Sequence, residues 1–562
     1  MDDTVAERER EWEAYLAWKS EHTNTQTVLT FFHGNILLPR HAVLAIFAFM
    51  GYIRSTLDTF SASQELYFAL LESWDSLFVP VLKFEFIPTL VFRSASEITS
   101  THIGAIDRIR DALAHNHVLT SLDLSDTPFG IRGVADALPL CRTLTTLDLS
   151  GNEIGILGIA EFADAISHCH ALSSLDFSNN EISDDETGIL SAALQQCHSL
   201  AVLDLGTNEI SDIGAEKLAA ALQMCHALTT LILVENLIGN IGVEKISAAL
   251  THCPLLTKLD LAFNIFSDAG AEKIAGALTH FCAFTNLNLA GNRLDGSGID
   301  SIAAALSKCH TLTEINLKCT KMGAHGAELI ADALANCLGL TKLNLCFDKI
   351  GAIGVSKIAY ALQNCNTLTA LWLDGNLIRE SGSASLSALI AHCPLLTTLS
   401  LDGNSLEDAG TGKIASALMH CRKLSTLYLA GNHIGDVGAT SVASTLMHCP
   451  ALAVLDLSCN NISAVGITKI AEALMHCPKL GILDFDFNDI GDDGAEKLAA
   501  TLAHCRKLSI LKLDSNNIGS TGMEKLAEAL VHCPDLATFD FYDNAVGLER
   551  LPVILRDKVG VD

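Results

Sequence analysis

The chain has 562 residues, a formal net charge of −29 and 49% hydrophobic residues, with an isoelectric point near 5.0. That balance excludes nucleic acid as the principal ligand, because phosphate contacts require basic surface. No membrane role is expected: the longest apolar run, Ala42 to Ile53, is too short to span a bilayer, and the acidic start MDDTVAERERE lacks the basic segment that opens a signal peptide.

Residues 1–100 hold Trp12, Trp18 and Trp74, three of the four tryptophans, with ten of the 22 phenylalanines and no cysteine. This shift in composition predicts a separate helical N-terminal region over 1–100, with repeats filling 101–562. Within it, Leu38-Pro39 is followed by Val43, Leu44, Ile46, Phe47, Phe49 and Met50, the apolar face of a helix. One reading is an apolar cap over the open end of a repeat array, which such arrays need for solubility. The other is a resemblance: a Leu-Pro start, a helix and a later tryptophan resemble the F-box, which implies that residues 38–74 dock on the adaptor of a cullin ubiquitin ligase. Arg40-His41 departs from that pattern, which has an acidic residue after Leu-Pro.

From Cys141 onward the chain repeats every 28 residues without insertion, most clearly in Leu452–Lys479, LAVLDLSCNNISAVGITKIAEALMHCPK. In that unit Leu455-Asp456-Leu457 alternates with period two, as a strand does. From Gly466 through Ile470, Ala471, Ala473 and Leu474 the spacing is i, i+3, i+4, which predicts an amphipathic helix of about three turns. One strand and one helix cannot bury their faces alone, but stacked units can. The predicted fold is therefore α/β: a leucine-rich repeat solenoid, or horseshoe, with an inner parallel sheet and outer helices.

The position of Asn460 recurs as asparagine from Asn152 to Asn544, broken only by Thr320 and Asp348. A buried amide repeated in this way predicts a structural ladder that satisfies main-chain groups at the bend after each strand. Fourteen of the 18 cysteines also share one register, from Cys141 to Cys533. In a chain with so much core they read as small buried hydrophobes, and thiols in such number imply a reducing compartment, cytoplasmic or nuclear. Eight of them follow a histidine, but adjacent side chains diverge and there is no C-x-x-C pair, so no metal and no cofactor is expected. The histidines suit the negative end of a helix dipole.

The unit LxxLxLxxNxIxxxGxxxLaxaLxxC, over residues 119–544, resembles the ribonuclease-inhibitor-like class of leucine-rich repeats. That class includes ribonuclease inhibitor, the sensor domains of NOD-like receptors and Ran GTPase-activating protein, and it implies a horseshoe that binds proteins. No Walker motif is present, which excludes an intact NOD-like receptor. The irregular first unit, Leu124–Leu138, is three residues short of the period and places Arg132 in the predicted loop between strand and helix. It resembles the arginine-bearing loop of the Ran activator, leaving open a GTPase activator with Arg132 against the phosphate; the other reading is an ordinary surface arginine. Otherwise no catalytic constellation appears, and the expectation is a non-enzymatic interaction scaffold.

Alternation assigns the partner surface. The residue between the two strand leucines faces the concave side, in the series Asp123, Asp148, Asp176, Asp204, Ile232, Asp260, Asn288, Asn316, Asn344, Trp372, Ser400, Tyr428, Asp456, Asp484, Lys512 and Asp540. Both ends are acidic, while the middle carries amides and aromatics. One reading is a merely soluble surface; the other is an interface anchored by an exposed Trp372, since tryptophan is the commonest such anchor. The candidate partner-binding residues are Lys318, Lys342, Trp372, Asp374, Asp402, Tyr428, Asp456 and Asp484.

Overall fold

A computed structural model describes residues 89–91, 113, 118–126, 131–281, 283–294, 296–502 and 504–545, with 89–91 and 131–133 described by main chain alone. Leu38-Pro39, Trp74 and the segment between them lie outside the described residues. Among those described, seventeen three-residue strands form one parallel sheet, and fourteen α-helices alternate with the strands from Gly155 to Leu530. From Thr146–Asp148 onward each strand pairs with the next at a constant offset, so that Tyr428 sits beside Asp456 and Asp456 beside Asp484. The sheet starts at Thr89–Val91, paired with Ser121–Asp123, inside the stretch expected to be helical. No helix among the described residues is long and apolar enough to cross a membrane.

The letters of the repeat account for these elements. In Val454–Asp456 the central Leu455 is buried and its neighbours are half-exposed. The helix Ala464–Leu474 buries Gly466, Ile467, Ile470, Ala471, Ala473 and Leu474, each large side chain contributing about 1.5–3 kcal/mol. Gly466 is required by proximity: a Cβ there would lie 2.6 Å from Asp436 Oδ1 and 2.8 Å from Ile462 Cγ2. The cysteine register is buried as expected, and burial pushes the Cys169 and Cys421 thiols up to about 12. His168, next to Cys169, is exposed and places Nδ1 2.9 Å from the carbonyl of Asp164 at its helix end.

The asparagine ladder is present. Asn460 Nδ2 donates to the carbonyls of Leu429, Leu457 and Ser458, each at 3.0 Å. Its Oδ1 accepts the N–H groups of Asn432 and Ile434 at 3.0 Å. One amide thus stitches two repeats. At the two breaks, Thr320 donates N–H and Oγ1–H to Asp348 Oδ1 at 2.7 and 3.0 Å. Asp348 Oδ2 is buried without a partner where an asparagine would present its NH2, and burial pushes this carboxyl up to about 7.

A second ladder runs along the helix starts. Asp212 Oδ1 accepts from Gly239 N at 2.8 Å and Gly242 N at 2.7 Å in the next repeat. Asp408 and Asp436 do the same for Gly435 and Ser463. In the middle repeats the equivalent positions are Ala324, Ala352 and Glu380. There the helices begin instead on left-handed residues: Gly323, Gly351, Arg379 and Glu407, at φ 63, 64, 57 and 56°. Arg132 is not in a loop, as its spacing predicts, but is the second residue of a 3-10 helix, Ile131–Leu140. The shortened unit leaves too few residues for both a free loop and a full α-helix.

Two substitutions test the first ladder. Asn376→Ala orphans the Leu345 and Leu373 carbonyls, now bonded at 2.6 and 2.9 Å, and should cost about 1–3 kcal/mol. Asp348→Asn should stabilise. The folded carboxyl titrates at about 7 and an unfolded aspartate near about 3.9, so its cost is absent below about pH 4 and complete only above about pH 7. Melting curves should show the gain from Asp348→Asn growing as pH rises across that window; a gain independent of pH excludes this account.

Candidate functional site

The outer residues of each strand face the concave side. At the third strand position a carboxylate or amide does local structural work: Asp148, Asp176 and Asp456 accept the main-chain N–H two residues on, at 3.0, 2.8 and 2.9 Å. Asn316 and Asn344 do the same toward Lys318 N and Cys346 N, both at 3.1 Å. With one oxygen so engaged, aspartate offers a second oxygen to the surface, whereas asparagine offers an NH2. The row therefore changes from acceptor to donor at Asn288, Asn316 and Asn344.

All eight candidate residues lie along this face. Trp372 and Tyr428 flank Ser400 on adjacent strands, and Ser400 is only 3% exposed between them. Trp372 itself is half-buried rather than exposed, because the row brings its neighbours close to the ring. Beneath these rings, Asp374 accepts Ser400 Oγ–H at 2.6 Å, the Asp402 N–H at 3.0 Å and the Cys346 thiol at 3.2 Å. Lys342 pairs with Glu314 at 2.8 Å, and Asp484 with Lys512 at 3.4 Å. A shallow depression of about 240 Å³ opens over the middle strands, lined by side chains that include Lys258, Asn286, Glu314, Asn316, Asn344 and Trp372.

Carboxylates stacked on neighbouring strands repel and are partly desolvated. Burial first, and then Asp374, Asp456 and Asp484, push Asp402 up to about 7. Burial with Asp484 and Asp514 does the same to Asp486, also to about 7, and burial with Asp456 raises Asp484. Tyr428 is raised as well, by burial and then by Asp456, Asp402 and Asp374. Arg132 contributes nothing to this face that can be described, its side chain lying outside the described residues.

Several surface residues escape notice in the sequence. Lys258, Asn286 and Glu314 occupy the first strand position, two residues before the assigned row, and alternation places them on the same face. Asp486, two residues beyond the strand Ile482–Asp484, carries no signal.

A family model described as Leucine Rich repeat matches residues 115–135, 140–163, 196–219, 252–275, 308–331, 392–415, 420–443, 448–471, 476–499 and 504–527. This is a leucine-rich repeat protein. Among solved structures it is similar to a plant peptide hormone receptor, RGFR1, in complex with RGF2, at 18% identity over 77% of this chain and 76% of that one, with a TM-score of 0.39. It is also similar to an internalin (inlF) from Listeria monocytogenes, at 19% identity over 72% of this chain and 93% of that one, with a TM-score of 0.40. No curated protein matches it.

The crowding of carboxylates has a measurable cost. Asp402 sits at about 7 in the folded protein, above its unfolded value, so its penalty appears as pH rises through that range. Asp402→Asn keeps an oxygen to accept the Ala430 N–H, now at 2.7 Å. It should raise the melting temperature near about pH 8 but leave it unchanged near about pH 4, with a gain that shrinks in high salt. Equal gains at both pH values rule out charge relief as the cause.

Proposed function

We propose that this protein is a non-enzymatic interaction scaffold of the ribonuclease-inhibitor-like type, and that the concave face from Lys318 to Asp486 binds a protein partner. The type rests on the 28-residue unit with its helix of 11 to 13 residues. The carrying observation is the pair of half-buried rings, Trp372 and Tyr428, on either side of Ser400. They offer rigid apolar area at the centre of a surface that is otherwise polar or charged. Interfaces concentrate their energy in such central aromatic anchors. The carboxylates beyond Tyr428 select basic groups on the partner and speed its approach.

Affinity capture of the full chain from its native cell, with mass spectrometry of what it retains, would identify the partner. Trp372→Ala should then weaken its binding by on the order of 2 kcal/mol, about thirtyfold in Kd. Wild-type affinity should rise with pH between about 6 and 8 as Asp402 and Asp486 ionise, and the Asp402→Asn/Asp486→Asn double variant should flatten that slope. An affinity unchanged by Trp372→Ala would move the interface off this face.

A further inference from the structure

In a chain with a net charge of −29, one part of the concave face is built to receive negative charge. Asn316 and Asn344 lie side by side on adjacent strands, each with its Oδ1 held by its own main chain at 3.1 Å. Their NH2 groups therefore face outward, and neither bonds to another described residue. Asn288, the preceding member of the row, spends its NH2 on Asp260 Oδ2 at 2.9 Å. At the edge of the same strands Lys318 has no carboxylate within ion-pair distance among the described residues. Its ammonium lies 5.5 Å from the centre of the Phe347 ring, a contact that holds a cation without neutralising it.

Phe347 adopts a left-handed φ of 59°, as Phe263, Cys319, Cys459 and Phe487 do at the same position of their repeats. Its ring lies over Gly375, where a Cβ would stand only 2.4 Å from Phe347 Cδ1. Two amide donors and one ammonium without an acceptor or carboxylate among the described residues thus fall in adjacent repeats, and Asn344 is paired in register with Trp372.

We propose that Asn316, Lys318 and Asn344 receive a carboxylate side chain of the partner, within an extended segment that lies across the strands and carries basic residues at its other end. This deepens the proposed interaction and rests on the concave face being the partner surface. A single negative charge matches the one ammonium of this cluster. Six strand spacings separate the row position of Asn316 from that of Asp484, about 29 Å at 4.8 Å each, a span covered by about nine extended residues. The basic end then meets Asp456, Asp484 and Asp486, and the middle of the segment crosses Trp372 and Tyr428.

The test uses the full chain and fluorescein-labelled synthetic nine-residue peptides with lysine and arginine at one end, leucine in the middle, and glutamate, glutamine or lysine at the other end. Fluorescence anisotropy at low salt should show the glutamate peptide binding about fivefold more tightly than the glutamine peptide. Lys318→Glu should reverse the preference between the glutamate and lysine peptides, with melting unchanged. Equal binding of the glutamate and glutamine peptides overturns the carboxylate site, as does a preference that Lys318→Glu does not alter, and failure of every peptide to bind overturns the extended segment. The broader concave interface is judged separately, by the effect of Trp372→Ala on the captured partner.

Discussion

The carboxamide buried at the bend of all but two 28-residue repeats, those of Thr320 and Asp348, bonds main-chain groups of its own repeat and of the one before, and the regular stacking of the solenoid depends on it. A three-residue strand cannot hold its own register, and a helix of three turns is marginal alone. The amide of Asn460, with five main-chain partners, makes neighbouring units mutually obligatory. Once the offset is set at 28 residues, the leucines align into one core, and the residues beside them align into rows along the concave face.

The rows are where chemistry enters. Because Asp148, Asp176, Asp456, Asn316 and Asn344 at the third strand position each spend one oxygen on the turn that follows, the remaining group is presented in a set direction. Changing Asp to Asn there exchanges an acceptor for a donor without disturbing the scaffold. The chain uses this exchange in its middle repeats, where the amides adjoin Lys318 and Trp372, and returns to carboxylates beyond Tyr428. The result is a polarised strip rather than a uniform acidic surface, which favours one partner pattern over others.

The middle repeats also depart from their neighbours in the scaffold itself. Thr320 and Asp348 replace ladder asparagines and bond to one another, and the successive helix starts at Gly323, Gly351, Arg379 and Glu407 are not joined to one another by an aspartate link, because the position holds Ala324, Ala352 and Glu380. Irregularity in both ladders coincides with the stretch that carries the donor cluster and the aromatic pair.

The sequence by itself determined what depends on period and residue type. The strand at Val454–Asp456, the helix at Ala464–Leu474, the amide ladder and the concave row from Asp123 to Asp540 follow from local spacing, since side-chain direction in a strand or helix is set within a few residues. Tertiary structure decided whatever depends on atoms one repeat away. The half-burial of Trp372, the raised carboxyls of Asp402 and Asp486, the aspartate links at the helix starts and the placing of Lys318 over the Phe347 ring all arise between residues about 28 positions apart. Their distances are set by how closely successive repeats pack, and no spacing within one repeat encodes that. Arg132 marks the same boundary from the other side: its repeat is short, and only packing against the next unit settled that the shortfall is taken up by a 3-10 helix.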